Sequence, residues 1–181
     1  GSSVQQTFDA LGRRTAVINE EGQATIFSYD GLGRLAGVSG LSGNATYAYD
    51  EAGNLLSMTD ALGRVTRLRY DALNRPVERQ YPGGEVEHIV YDAAGNVIAA
   101  TDANGKTTTF EYDAMDRLLR ANMPGGGSER YTYNTDGQRA SVGDSRGTAT
   151  YGYDAVGRLA SLTSPDGTTV SYASDAKGNL A

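Results

Sequence analysis

One residue column returns through this chain at an almost constant interval. It reads Phe8, Tyr29, Tyr49, Tyr70, Tyr91, Tyr112, Tyr133, Tyr153 and Ser174, at spacings of 21, 20, 21, 21, 21, 21, 20 and 21 residues. A period of this length restricts the chain to a repeat architecture, in which each unit completes its packing against its neighbours. Whatever else the sequence encodes must fit inside 20–21 positions per copy.

The residue after each column member is Asp9, Asp30, Asp50, Asp71, Asp92, Asp113, Asn134, Asp154 or Asp175. Three positions later stand Gly12, Gly33, Gly53, Asn74, Gly95, Asp116, Gly137, Gly157 and Gly178. Asp and Asn side chains start turns by bonding to the backbone two residues on. Gly tolerates a positive φ, and Asn and Asp are the next best residues there. The motif Asp-x-x-Gly therefore predicts a four-residue hairpin loop, with Asp30/Gly33, Asp50/Gly53, Asp92/Gly95 and Asp154/Gly157 as its structural turn residues.

Strands flank the loop. Before it, Phe27/Tyr29, Tyr47/Tyr49, Leu68/Tyr70, Ile89/Tyr91, Phe110/Tyr112, Tyr131/Tyr133 and Tyr151/Tyr153 alternate with period two, which places each pair on one strand face. After it, a polar residue is followed by pairs such as Leu56/Met58, Ile98/Ala100, Leu119/Ala121 and Ala160/Leu162, read as a second apolar face. A second glycine-containing turn then closes each unit, among them GLSG at 40–43, DALG at 60–63, PGG at 82–84 and DSRG at 144–147. Two short strands and two turns fill the period and leave no room for a helix. The fold class is all-β: a continuous antiparallel β-meander of about 15–17 short strands.

A doubled period overlies the first. From residue 34 the polar column alternates Arg34, Asn54, Arg75, Asn96, Arg117, Gln138, Arg158, Asn179. The second turns alternate with it, Asp60, Asp102 and Asp144 opening one kind and Pro82, Pro124 and Pro165 marking the other. A four-stranded unit of this length also fits a β-propeller blade, which stands as the alternative architecture.

Composition removes several function classes. A net charge of −6 and a pI near 4.8 argue against nucleic-acid binding, which needs a concentrated basic face. The chain has no cysteine, hence no disulfide framework and no thiolate metal site. No apolar run is long enough for a membrane span. Residues 1–3 read as an expression remnant, and 4–181 as a single array of about nine repeats, a piece of something larger.

The segments YDGLGRL (29–35), YDEAGNL (49–55), YDAAGNV (91–97) and YDAVGRL (153–159) resemble the tyrosine-aspartate (YD) repeats of the Rhs family. That family includes bacterial polymorphic toxins, toxin-complex components and the animal teneurins. The resemblance implies a β-ribbon curled as part of a hollow β-spiral shell, which in the toxins encloses a C-terminal effector. It implies as partners the remainder of the same shell and an enclosed effector polypeptide, and a secreted or cell-surface location, bacterial rather than animal. Carbohydrate binding is a role sometimes attached to these repeats. No residue matches the D-P-x-G-R-like signature that ends the family's shell, so the self-cleaving activity assigned to that segment does not carry over.

Individual residues add little chemistry. His88, the single histidine, lies in an alternating strand and reads as a strand residue, with no partner histidine for a metal site. The aspartate column could supply paired carboxylates for glycoside hydrolysis, but turn formation explains every member at once. DANGK (102–106) and PDGTT (165–169) lack the ligand spacing of a calcium loop. Gly125-Gly126-Gly127-Ser128 leads into a strand and not a helix, so it is discarded as a phosphate cradle. Asn44-Ala45-Thr46 is a glycosylation sequon, meaningful only in a eukaryotic secretory protein. No catalytic, metal or cofactor residue is assigned, and no enzyme activity is expected. The tyrosine row, Tyr29, Tyr49, Tyr70, Tyr91, Tyr112, Tyr133 and Tyr153, is expected to be an aromatic ladder that packs the sheet or lines a cavity.

Two functions fit: a shell segment around a cargo polypeptide, or a recognition module whose surface binds glycan or a cell-surface partner. The terminal strands near 4–8 and 168–173 carry neither Pro nor dense charge, so the fragment is expected to self-associate edge to edge.

Overall fold

Each short strand is followed by a turn that reverses the chain, as the Asp and Gly columns require. The computed structural model describes residues 4–175; residues 1–3, Gly178 and Asn179 lie outside the described residues. The strands are β1 Gln5–Phe8, β2 Arg14–Ile18, β3 Ala24–Tyr29, β4 Leu35–Gly40, β5 Gly43–Tyr49, β6 Leu55–Thr59, β7 Val65–Tyr70, β8 Pro76–Gln80 and β9 Val86–Tyr91. They continue as β10 Val97–Thr101, β11 Thr107–Tyr112, β12 Leu118–Asn122, β13 Ser128–Tyr133, β14 Arg139–Asp144, β15 Gly147–Tyr153, β16 Leu159–Thr163 and β17 Thr169–Ser171. No helix occurs among the described residues, and so none is long and apolar enough to cross a membrane.

The chain divides between His88 and Ile89 into two compact units. The first holds β1–β8 and the opening of β9; the second holds the end of β9 and β10–β17. Within each, every strand pairs antiparallel with the strands next to it in sequence. This is the meander, and it overturns the propeller alternative. A blade ends after four strands and the next begins a new sheet, whereas β4 pairs with β5 and β5 with β6 without interruption.

The ladder slips at one recurrent place. The register shifts at Ser28/Tyr29, Ala48/Tyr49, Arg69/Tyr70, Glu111/Tyr112, Thr132/Tyr133 and Gly152/Tyr153, always immediately before the tyrosine column. Each is a β-bulge: Tyr49 opposes Leu55 while Ala48 opposes Ser57, so Leu56 is the extra residue. The bulge corrects the expectation of a second apolar face. Met58 stands opposite Tyr47, Ala121 opposite Phe110 and Leu162 opposite Tyr151, so the apolar residues of both strands share the tyrosine face. The other face pairs Ser28 with Gly37, Ala48 with Ser57, Thr132 with Ser141 and Arg69 with Glu78.

One layer of sheet buries little. Ala121 is the one buried apolar side chain among the described residues, while Met58 is 43% exposed. Stability therefore rests on ladder hydrogen bonds, cross-strand pairs and the loop bonds described below, and not on an enclosed core.

The second turns divide by length rather than by their first residue. Asp60 and Tyr81 open turns of the same pattern, in which the first residue's N–H donates to a carbonyl four residues on. Gly40–Gly43 and Asp144–Gly147 are two-residue hairpins instead. Asp144 thus departs from Asp60 and Asp102, contrary to the expected alternation. These two hairpins fall in the two 20-residue repeats, where the turn is one residue shorter.

Candidate functional site: the tyrosine face and its loops

The loop is held by its aspartate. Asp30 Oδ1 accepts from the N–H groups of Leu32 and Arg34, both at 2.9 Å, and Oδ2 accepts from Arg34 Nε at 2.7 Å. Gly33 N–H donates to Asp30 O at 3.0 Å, and Gly33 has φ 81°. Asp154 repeats these contacts with Val156 and Arg158. In the other repeat type, Asp50 Oδ2 accepts from Asn54 Nδ2, and Asp92 Oδ2 from Asn96 Nδ2. Gly53, Gly95 and Gly157 have φ values of 93°, 101° and 83°, and Asn74 and Asp116 hold 61° and 59° in the same column.

These bonds hold the carboxyls below their ordinary 3.8. For Asp30 and Asp154 the backbone N–H four residues on is the largest cause; for Asp50 and Asp92 it is the side-chain amide of Asn54 and Asn96. A carboxylate that is ionised and saturated by local donors is poorly suited to general acid catalysis.

Tyrosines of the column tie their repeat to the one before. Tyr49 Oη donates to Leu35 O at 3.0 Å, and Leu35 stands opposite Tyr29, next to the bulge. The same link joins Tyr29 to Arg14, Tyr70 to Leu55, Tyr112 to Val97, Tyr133 to Leu118 and Tyr153 to Arg139, at 2.8–3.1 Å. The bulge interrupts the ladder, and the next phenol bonds to a carbonyl at the interruption. Tyr91 occupies the same column in β9. All seven tyrosines are half-buried.

The arginines reach forward as well. The guanidiniums of Arg13, Arg34 and Arg117 lie 4.7, 4.7 and 4.5 Å from the ring centroids of Tyr29, Tyr49 and Tyr133. Asn54, in the other repeat type, donates instead to Asn74 Oδ1 at 2.7 Å, as Asn96 does to Asp116 Oδ1. Sequence reading registered the alternation but not these links; the coincidence of Asn54 with Asn74, and of Asn96 with Asp116, was the available signal.

The remaining candidates are plain strand and turn residues. His88 is exposed in β9, with Nδ1 3.8 Å from Glu78 Oε2, which also lies 3.7 Å from Arg69 Nη1. Asp102 Oδ1 accepts from the backbone of Asn104 and Lys106, and Asp166 Oδ1 from that of Thr168. Among the described residues no three acidic or histidine side chains cluster closely enough to hold a metal ion. Asn44 is exposed in β5.

The geometry is that of a repeat built on alternating loops, and the family comparison agrees. The model of the RHS repeat matches residues 8–45, 49–86, 91–128, 133–169 and 153–181. The chain belongs to the Rhs repeat family.

The first four Rhs matches begin at Phe8, Tyr49, Tyr91 and Tyr133, every second member of the column, so the family unit is the doubled period. Two solved structures, the TcdB2-TccC3-TEV and TcdB2-TccC3-Cdc42 crystal structures, match this Rhs chain with TM-scores of 0.73 and 0.74 at 17% identity. Each match covers 98% of this chain and 11% of the other. A structure of the Photorhabdus luminescens Tc holotoxin pore matches with a TM-score of 0.52 at 17% identity, over 98% of this chain and 12% of that one. The chain thus spans about a ninth of the length of these structural relatives, and the likeness is one of fold. A search among curated proteins gave no match.

Proposed function

We propose that this chain is a structural segment of an Rhs-type toxin shell that encloses an effector polypeptide. The observation that carries the reading is the state of the tyrosine face. Its hydroxyls donate to backbone carbonyls, while the apolar bodies of Tyr47, Met58, Leu68 and their neighbours stay half-exposed on one side of a single sheet layer. Such a surface is mechanically tied from repeat to repeat yet offers apolar area to a chain lying against it. The likeness to the TcdB2-TccC3 structures supports the same reading. In it the ribbon curls into a hollow spiral, because twisted open sheets rarely exceed about ten strands without curling. The shell is a secreted bacterial component with no catalytic residue of its own in this segment.

Glycan recognition by the tyrosine row has less support. Six of the hydroxyls are engaged by carbonyls, and three of the rings are covered by arginine.

Limited proteolysis of the full-length protein that carries these repeats tests the proposal. The effector segment should resist protease in the native protein and become cleavable once the shell is denatured. Cleavage of that segment at equal rates in both states would remove the enclosing role.

A further inference from the structure

Among the described residues, the polar face of the second unit carries an arginine with no carboxylate paired to it. Across β11–β14, Glu111, Arg120, Arg130 and Gly143 stand opposite one another in that order. Like charges directly across an antiparallel pair are destabilising. Glu111 answers one of them, with Oε1 3.7 Å from Arg120 Nη1. Among the described residues no carboxylate lies within 4.0 Å of the Arg130 guanidinium.

The surroundings of Arg130 are concave. It lines a hollow of about 440 Å³ between the 124–127 and 145–146 turns, with Ser128 and Thr148 supplying hydroxyls. That volume is in the usual range for small-molecule sites. Gly143 sits opposite Arg130, and Thr148 Oγ1 lies 2.6 Å from where its Cβ would stand, so the missing side chain makes room for that hydroxyl. Gly125 and Gly126 have consecutive φ values of 93° and 94°. Asp144 also lines the hollow, but its Oδ2 accepts from Arg146 at 2.6 and 2.8 Å and is already neutralised. The glycine run was unsuited to bind phosphate through a helix N-terminus. Here the positive charge comes from arginine instead.

We propose that Arg130, with Ser128 and Thr148, binds a small polar molecule through a sulfate or phosphate ester. A guanidinium presents a planar set of donors suited to a tetrahedral oxyanion, and the hydroxyls complete its coordination. This inference is independent of the shell reading, which concerns the opposite face.

The test is an NMR titration of the whole chain with galactose 6-sulfate and galactose 6-phosphate, at ionic strength matched with potassium chloride. Saturable shifts at Ser128, Arg130 and Thr148 are expected, and the tighter of the two esters identifies the source of the oxyanion. Arg130→Gln should weaken binding at least ~10-fold, and Thr148→Val provides a second variant if the first folds poorly. Arg67→Gln, on the polar face of the first unit, should leave binding unchanged. Shifts reproduced by potassium chloride alone, or unaltered in both Arg130→Gln and Thr148→Val, would overturn the site.

Discussion

Asn54 Nδ2 donates to Asn74 Oδ1 at 2.7 Å, twenty residues along the chain. Asn96 meets Asp116 in the same way, while Gln138, one methylene longer, donates to the backbone oxygen of Gly157 at 2.6 Å. The side chain that reaches forward is thus matched in length to what occupies the left-handed position of the next loop. Asn54→Ala and Asn74→Gly, measured singly and together by chemical denaturation, should show a coupling of about 0.5–1.5 kcal/mol. Asn54→Gln combined with Asn74→Gly should recover much of the loss, because it rebuilds the Gln138–Gly157 arrangement. Additive losses would show the two positions to be independent.

Tyr112→Phe removes the donor to Val97 O and leaves the ring in place. The expected loss is about 0.5–1.5 kcal/mol, the net value of one hydrogen bond. Faster amide exchange around Val97, at the start of β10, should accompany it. An unchanged unfolding midpoint together with unchanged exchange would show that the phenol bond is dispensable.

Gly53 has φ 93° and open space around its missing Cβ, so backbone strain can be read there without steric interference. Gly53→Val should cost roughly 1–3 kcal/mol. Gly53→Asn should be much milder, since Asn74 already adopts φ 61° in this column. Equal losses in urea denaturation would contradict the assignment of strain.

The loop carboxyls make the fold acid-sensitive. Asp30 is held below its ordinary 3.8 chiefly by the Arg34 N–H, and Asp50 chiefly by the Asn54 side chain. A lowered folded pKa stabilises above the unfolded value, and that stability is lost as pH falls through the folded one. The urea midpoint should therefore be level at pH values above 3.8 and fall below it, with Asp30→Asn shallower in slope than the parent. A midpoint that rose on acidification would reverse the sign.

Tyr131 behaves oppositely. Its hydroxyl donates to Glu129 Oε2, and that bond, with burial, pushes its pKa from 10.0 up to about 12. Stability from this pair is fully present below 10.0 and lost as pH rises through about 12. Ultraviolet titration of Glu129→Gln should return one tyrosine toward 10.0. A titration curve identical to that of the parent chain would show Glu129 to be uninvolved.

Much of this architecture is local and was therefore legible. Asp30, Gly33 and Arg34 fall within five residues, so the turn, its positive φ and the strands on either side follow from the spacing alone. Repetition of that local unit specified the all-β meander. The two 20-residue intervals also contained the position of the two tight hairpins, had turn length been counted. What the sequence did not disclose depends on how one hairpin sits against the next. The bulge before each tyrosine adds one residue to one strand and so reverses the alternation beyond it. Leu56/Met58 consequently joins the tyrosine face instead of forming another. That same offset sets which carbonyl meets Tyr49 and which ring lies under Arg34, partners about 15 residues apart in sequence. Residue identity specified the unit; cross-strand register, fixed only when neighbouring units hydrogen-bond, decided what each unit touches.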